Sequence, residues 1–138
     1  MQTFLPMNVH QSPGGTHISK ILAGAVAIVT GGAAGIGHAV ATDLASRGAA
    51  VVIADQSNAQ SGAQTLIDNG YRAIGVEADV SVEADNLAMV SAAEDAFGRV
   101  DILVNNAAIF SSLRPKPFEQ IDIAEFRRVM DVNVLGLF

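Results

Sequence analysis

The chain reads as an α/β protein whose sheet is parallel and wound with helices on both faces. From residue 25 onward, short apolar runs alternate with longer segments of helical period, which is the pattern of successive βαβ units. The runs are continuously apolar, as strands covered on both faces are, where half-exposed strands would alternate. Charged residues make up only 16% of the chain, against about 25% in an average soluble domain, which fits strands that meet no solvent.

Taken in order, the first strand is expected over Ala25–Val29, then a glycine-rich turn and a helix over Gly35–Arg47. The second strand, Ala50–Ala54, leads into a helix over Asn58–Asn69, and the third, Ala73–Val76, into a helix over Glu83–Phe97. Gly48, Gly70 and Gly98 stand where a helix end favours a left-handed residue. The fourth strand is Ile102–Val104. A fourth helix begins near Asp122, where Asp122, Ile123, Ala124 and Glu125 form a capping-box variant, and runs to the last residue. Its apolar residues Ile123, Phe126, Val129, Met130, Val134 and Leu137 recur at three-and-four spacing, and Asn133 falls within that stripe. Residues 1–20, interrupted by Pro6, Pro13, Gly14 and Gly15, develop no apolar period and read as a flexible tail before a domain over residues 21–138.

Composition removes several function classes. A chain of 138 residues suits one domain. Without cysteine there is no disulfide or thiolate-bound metal. Fourteen acidic against eight basic residues, net −6, argue against nucleic-acid or anionic-membrane partners, which are held mainly by Lys and Arg. The start has no basic residues or apolar core of a signal peptide, and the run Ile21–Val29 is far shorter than the roughly 20 residues a membrane span needs. A cytoplasmic location is the resulting expectation. His10 and His17 have no third ligand nearby, so no metal site is expected; His38 reads as a solvated residue of the first helix. Arg114, Lys116, Arg127 and Arg128, the one basic concentration, read as a solvated face.

The first strand runs directly into Thr30-Gly31-Gly32-Ala33-Ala34-Gly35-Ile36-Gly37 and a helix. Unpaired N–H groups and the helix dipole there face an anion, and glycines let a diphosphate approach the backbone. Asp55 closes the second strand, 18 residues past Gly37. At that point in dinucleotide folds an acid accepts hydrogen bonds from the adenosine ribose and repels the 2′-phosphate of NADP. Gln56 follows, so no cation stands ready for a phosphate, and NAD is favoured over NADP. Asp79 allows two readings, a ligand contact or the end of a strand ahead of Ser81. Asn133 likewise is either a buried amide satisfied by its neighbours or a functional group, since an unpartnered buried amide costs about 1–3 kcal/mol.

With TGGAAGIG, Asp55, Asp79-Val80, Asn105-Asn106-Ala107-Ala108 and Val132-Asn133-Val134 in this order, the chain resembles the short-chain dehydrogenase/reductase family in its short, single-domain form, over residues 21–138. The resemblance implies a Rossmann-type fold, here with strand order 3-2-1-4 and truncated after the fourth strand and the following helix. It implies that Gly31, Ala33, Ala34, Gly35, Ile36 and Gly37 wrap the diphosphate and adenosine of NAD and that Asp55 holds the ribose. Asp79 would meet the adenine amino group, with Val80 lining that pocket. Asn106 and Ala107 would lie beneath the cofactor, and Asn105 would tie neighbouring strands. Asn133 would be the catalytic-site member that positions a proton-relay water. The family usually has Gly in place of Ala108.

The family's chemistry also needs a tyrosine, a lysine four residues later and an earlier serine. The single tyrosine here is Tyr71, with Gly75 four positions on. Two expectations follow. The full-length protein moves a hydride between NAD and a small-molecule alcohol or ketone, as a homo-oligomer, while the 138-residue chain alone is inactive; or the chain is a non-catalytic NAD-binding module.

Overall fold

The computed structural model describes residues 20–110 and 112–138; the expected tail, apart from Lys20, lies outside them. Strands β1 (Val26–Thr30), β2 (Ala50–Asp55), β3 (Ala73–Glu77) and β4 (Ile102–Val104) form one parallel sheet in the order β3-β2-β1-β4. Helices α1 (Gly35–Ser46), α2 (Ala59–Asp68), α3 (Glu83–Phe97) and α4 (Ile123–Asn133) follow the strands in turn, and Phe118–Gln120 and Leu135–Leu137 are short 3-10 turns.

The apolar runs of β1 and β2 are buried from both sides. β3 instead alternates between buried and half-buried residues, and β4 is half-buried or exposed throughout, short of the full burial expected from its apolar run. On one face Val29, Val51 and Ile53 pack with Ala41 and Ala45 of α1 and with Ala63 and Leu66 of α2. On the other, Val26, Ile28 and Val52 pack with Met89 and Ala93 of α3. Each fully buried Val or Ile contributes roughly 1.5–3 kcal/mol by leaving water. The helices meet the sheet largely through alanine, so backbones come close. At Gly75 on β3 a Cβ would lie 2.4 Å from the Ala59 carbonyl oxygen of α2.

The element order is as expected, with shifted ends. β1, β2 and β3 each extend one residue further, because Thr30, Asp55 and Glu77 still pair in the ladder. Gly48, Gly70 and Gly98 take left-handed φ values of 101°, 83° and 83° beyond α1, α2 and α3. The fourth helix is shorter than expected. Asp122 caps it, its Oδ1 accepting from the Ala124 amide at 2.9 Å, but it ends at Asn133. Glycine inside a helix costs about 1 kcal/mol relative to alanine, and beyond Asn133 the chain instead tightens so that Gly136 seats against Val80, where a Cβ would lie 2.7 Å from Val80 Cγ2.

The face that α4 turns inward also differs from the expected stripe. Val132 is buried and Val129 and Asn133 are half-buried, whereas Ile123, Phe126, Met130, Val134 and Leu137 are exposed. Val129, Val132 and Asn133 themselves follow three-and-four spacing, continued beyond the helix by Gly136, so the helix carries two apolar faces and the one holding Asn133 points in. Among the described residues β4 pairs with β1 alone, and Leu103 is 53% exposed at the sheet edge.

Candidate functional site

The site lies where the chain crosses from one half of the sheet to the other, at the carboxyl ends of β1 and β4. Thr30 closes β1 and, among the described residues, is the one buried polar side chain. Its hydroxyl donates to the Val104 carbonyl at 3.2 Å and accepts from the Asn106 and Ala107 amides at 3.0 and 3.1 Å. In return the Asn106 side chain donates to the carbonyls of Thr30 and Gly31 at 3.0 and 3.1 Å. The tie between strands expected of Asn105 is therefore made by Asn106. Successive side chains leave a strand on opposite sides, and Asn105 points to the Leu137 carbonyl, 3.5 Å away.

The glycine-rich turn is locked onto this junction. Gly31 has φ +63°, and a Cβ there would meet Asn106 Nδ2 at 2.9 Å. At Gly37 it would meet the Gly31 carbonyl oxygen at 2.2 Å, so α1 can start against the turn only with glycine at that position. Gly35 differs: its φ is +58°, but nothing lies within 4 Å of where a Cβ would stand. The turn is closed toward the protein and open toward solvent. Ala34 caps α1 without a side-chain hydrogen bond and no acidic residue stands in the first turn, so the N-terminal amides are free to receive an anion. Ile36 is 78% exposed beside them. His38, expected to be solvated, is half-buried, its Nδ1 3.2 Å from the Gly32 carbonyl.

Asp55 ends β2 facing the turn. Its carboxylate accepts from the Ala33 amide at 3.1 Å and the Ser57 amide at 3.3 Å. Between turn, β2 and β4 lies a cleft of about 260 Å³. Of the residues singled out from the sequence, Gly31, Ala34, Asp55, Val80, Asn106 and Ala107 line it, joined by Gln56, Ala78, Ala108, Ile109 and Val132. Ala33, Gly35, Ile36, Gly37, Asp79 and Asn133 do not line it. The turn amides suit a diphosphate and Asp55 suits vicinal hydroxyls.

Asp79 stands two residues past β3 and accepts from the Ser81 hydroxyl at 2.6 Å and the Ser81 amide at 2.9 Å. The Ser81 hydroxyl first, then its amide, the Gln56 side chain and the Arg128 charge hold this carboxyl below the ordinary range, against the opposing effect of burial. Asn133 engages the Ile109 backbone. Its Oδ1 accepts from the Ile109 amide at 2.8 Å and its Nδ2 donates to the Ile109 carbonyl at 3.1 Å, as a paired strand would. In the basic stretch, Lys116 pairs with Glu125 at 2.5 Å. Among the described residues, no helix is long and apolar enough to cross a membrane.

A parallel sheet in this order, with a glycine-rich turn entering α1 and an acid at the end of β2, defines a Rossmann-like α/β fold. The family model for short chain dehydrogenases matches residues 25–138, and the chain belongs to that family. It is 45% identical over 114 residues to cis-4-hydroxycyclohexanecarboxylate dehydrogenase of Sinomonas cyclohexanicum, covering 81% of this chain and 45% of the relative. It is 38% identical over 122 residues to glucose 1-dehydrogenase 2 of Bacillus subtilis, covering 86% and 46%. A crystal structure of 3-ketoacyl-(acyl-carrier-protein) reductase from Brucella melitensis complexed with NADH superposes with a TM-score of 0.75 at 44% identity, over 84% of this chain and 47% of that one. The chain thus spans about half the length of each of these three proteins.

Proposed function

We propose that this chain forms the cofactor-binding part of an NAD-dependent short-chain oxidoreductase. In its full-length form that protein moves a hydride between the cofactor and the alcohol or carbonyl carbon of a small molecule, as a homo-oligomer. The observation that carries the reading is the turn at Gly31–Gly37, packed without space on its protein side and open at Gly35, facing Asp55 across one cleft. Gly31, Ala33, Ala34, Gly35, Ile36 and Gly37 cradle the diphosphate and adenosine. Asp55 accepts from the ribose hydroxyls and disfavours the 2′-phosphate of NADP, while Asp79 and Val80 bound the adenine. Asn106 and Ala107 support the cofactor from below. Asn133 holds the Ile109 backbone, and because each of its amide groups can make a further hydrogen bond, it can also position a water. When bound, the nicotinamide supplies the hydride acceptor or donor.

Calorimetric titration tests this reading. NAD binds the chain, and Asp55→Ala weakens binding by roughly tenfold or more, the value of one charge-assisted hydrogen bond. Tight binding indifferent to that substitution overturns the assignment.

The second reading, an NAD-binding module without turnover, is favoured for the 138-residue chain by the position of its single tyrosine. Tyr71 precedes β3 and packs against the core, at the end of the sheet opposite the cleft. The chain alone is therefore expected to produce no NADH from a panel of secondary alcohols, and measurable turnover would refute this.

A further inference from the structure

The cleft does not end at Asp55. Through Gln56 and Ala78 it continues into a second cavity of about 400 Å³, bounded also by Glu77, Asp79, Asp85 and Arg128. Glu77 is the register partner of Asp55 on the neighbouring strand, and adjacent strands lie only about 4.8 Å apart. Glu77 is exposed, and among the described residues no salt bridge engages it. Asp79 is held ionised by Ser81, and Asp85 Oδ2 accepts from the Asp79 amide at 2.9 Å. The opposing cation is Arg128 of α4. The edge of the cleft around Asp55 thus carries four carboxylates against one guanidinium.

We propose that Glu77, backed by Asp79 and Asp85, is a second determinant of dinucleotide choice: these carboxylates repel the 2′-phosphate of NADP independently of Asp55, so removing the Asp55 charge does not by itself admit NADP. The inference rests on reading the cleft as an NAD site. The diphosphate is common to both dinucleotides and lies at the α1 end, so the acidic edge acts on the ratio of their affinities. A phosphate dianion within a Debye length of a carboxylate is disfavoured several-fold at low salt, and less as added salt shortens that length.

The experiment is calorimetric titration of the 138-residue chain with NAD and with NADP. At about 0.05 M salt, Asp55→Asn still binds NADP roughly tenfold more weakly than NAD, and raising salt to about 0.5 M narrows the gap to a few-fold. The double variant Asp55→Asn with Glu77→Gln narrows it likewise at low salt. An Asp55→Asn chain that binds the two equally at low salt overturns the inference and leaves the reading of the cleft intact. A wild-type chain that binds neither overturns both. Should Asp55→Asn not fold by circular dichroism, Glu77→Gln alone is read: NADP tightens about fivefold with NAD unchanged, and an unmoved ratio refutes the proposal.

Discussion

At the residue scale, the hydroxyl of Thr30 organises the junction of β1 and β4. Thr30→Val keeps the shape but leaves the Asn106 and Ala107 amides without their acceptor, a loss of about 1–3 kcal/mol in urea unfolding, whereas Thr30→Ser retains most of the stability. Gly37→Ala drives a Cβ to 2.2 Å from the Gly31 carbonyl oxygen; overpacking of this kind costs about 1–3 kcal/mol or more, and the opened turn loses NAD affinity in titration. Asp79 makes acid stability directional. Its folded-state pKa lies below the unfolded value, so its contribution is fully present above about pH 4 and disappears as pH falls through the lowered value. Thermal melts of Asp79→Asn are expected to show a shallower decline below about pH 4 than the wild-type chain. The glycines and Asp55 are legible in the sequence because their spacing follows from backbone geometry. Thr30 is not singled out there, although a hydroxyl closing a buried strand just before a glycine turn is a readable signal.

Among the elements, α4 shows where periodicity stops being decisive. A helix with two apolar faces satisfies three-and-four spacing twice, and the pattern alone does not say which face turns inward. The hydrogen bonds between Asn133 and Ile109 make that choice, since rotating the helix by one residue, about 100°, would break both. Asn133→Ala leaves the Ile109 amide and carbonyl without these partners. Hydrogen exchange at the Ile109 amide is then expected to accelerate by tenfold or more, a loss of about 1.4 kcal/mol or greater in local protection; unchanged exchange would show that α4 is held by other contacts. The strands are legible as short continuous apolar runs, and the first three helices as the longer segments between them, each closed by a glycine. The end of α4 is less so, since it depends on Gly136 seating against Val80, a contact between residues 56 positions apart.

For the whole molecule, the low charge of the chain has a visible origin in β1 and β2, whose apolar residues are buried on both faces. It has a second in apolar surface left open along β4 and the outward face of α4, at Leu103, Phe126 and Met130. An unpaired apolar edge promotes strand-to-strand association. Light scattering of the 138-residue chain should therefore rise with concentration, and Leu103→Lys should reduce it without altering the far-ultraviolet circular dichroism. The sheet order was readable from the resemblance and the βα alternation, whereas these surfaces needed three dimensions. The pairing of Ile109 with Asn133 bears on something else, the chain's tolerance of change in length. These two residues, 24 positions apart, close the intervening segment into an excursion fastened at both feet. Doubling the length of such an excursion costs only about 0.6 kcal/mol of closure entropy. Residues inserted between Leu113 and Pro115, ahead of the Lys116–Glu125 pair, are therefore expected to bulge into solvent and to leave the azimuth of α4 where the amide clasp holds it.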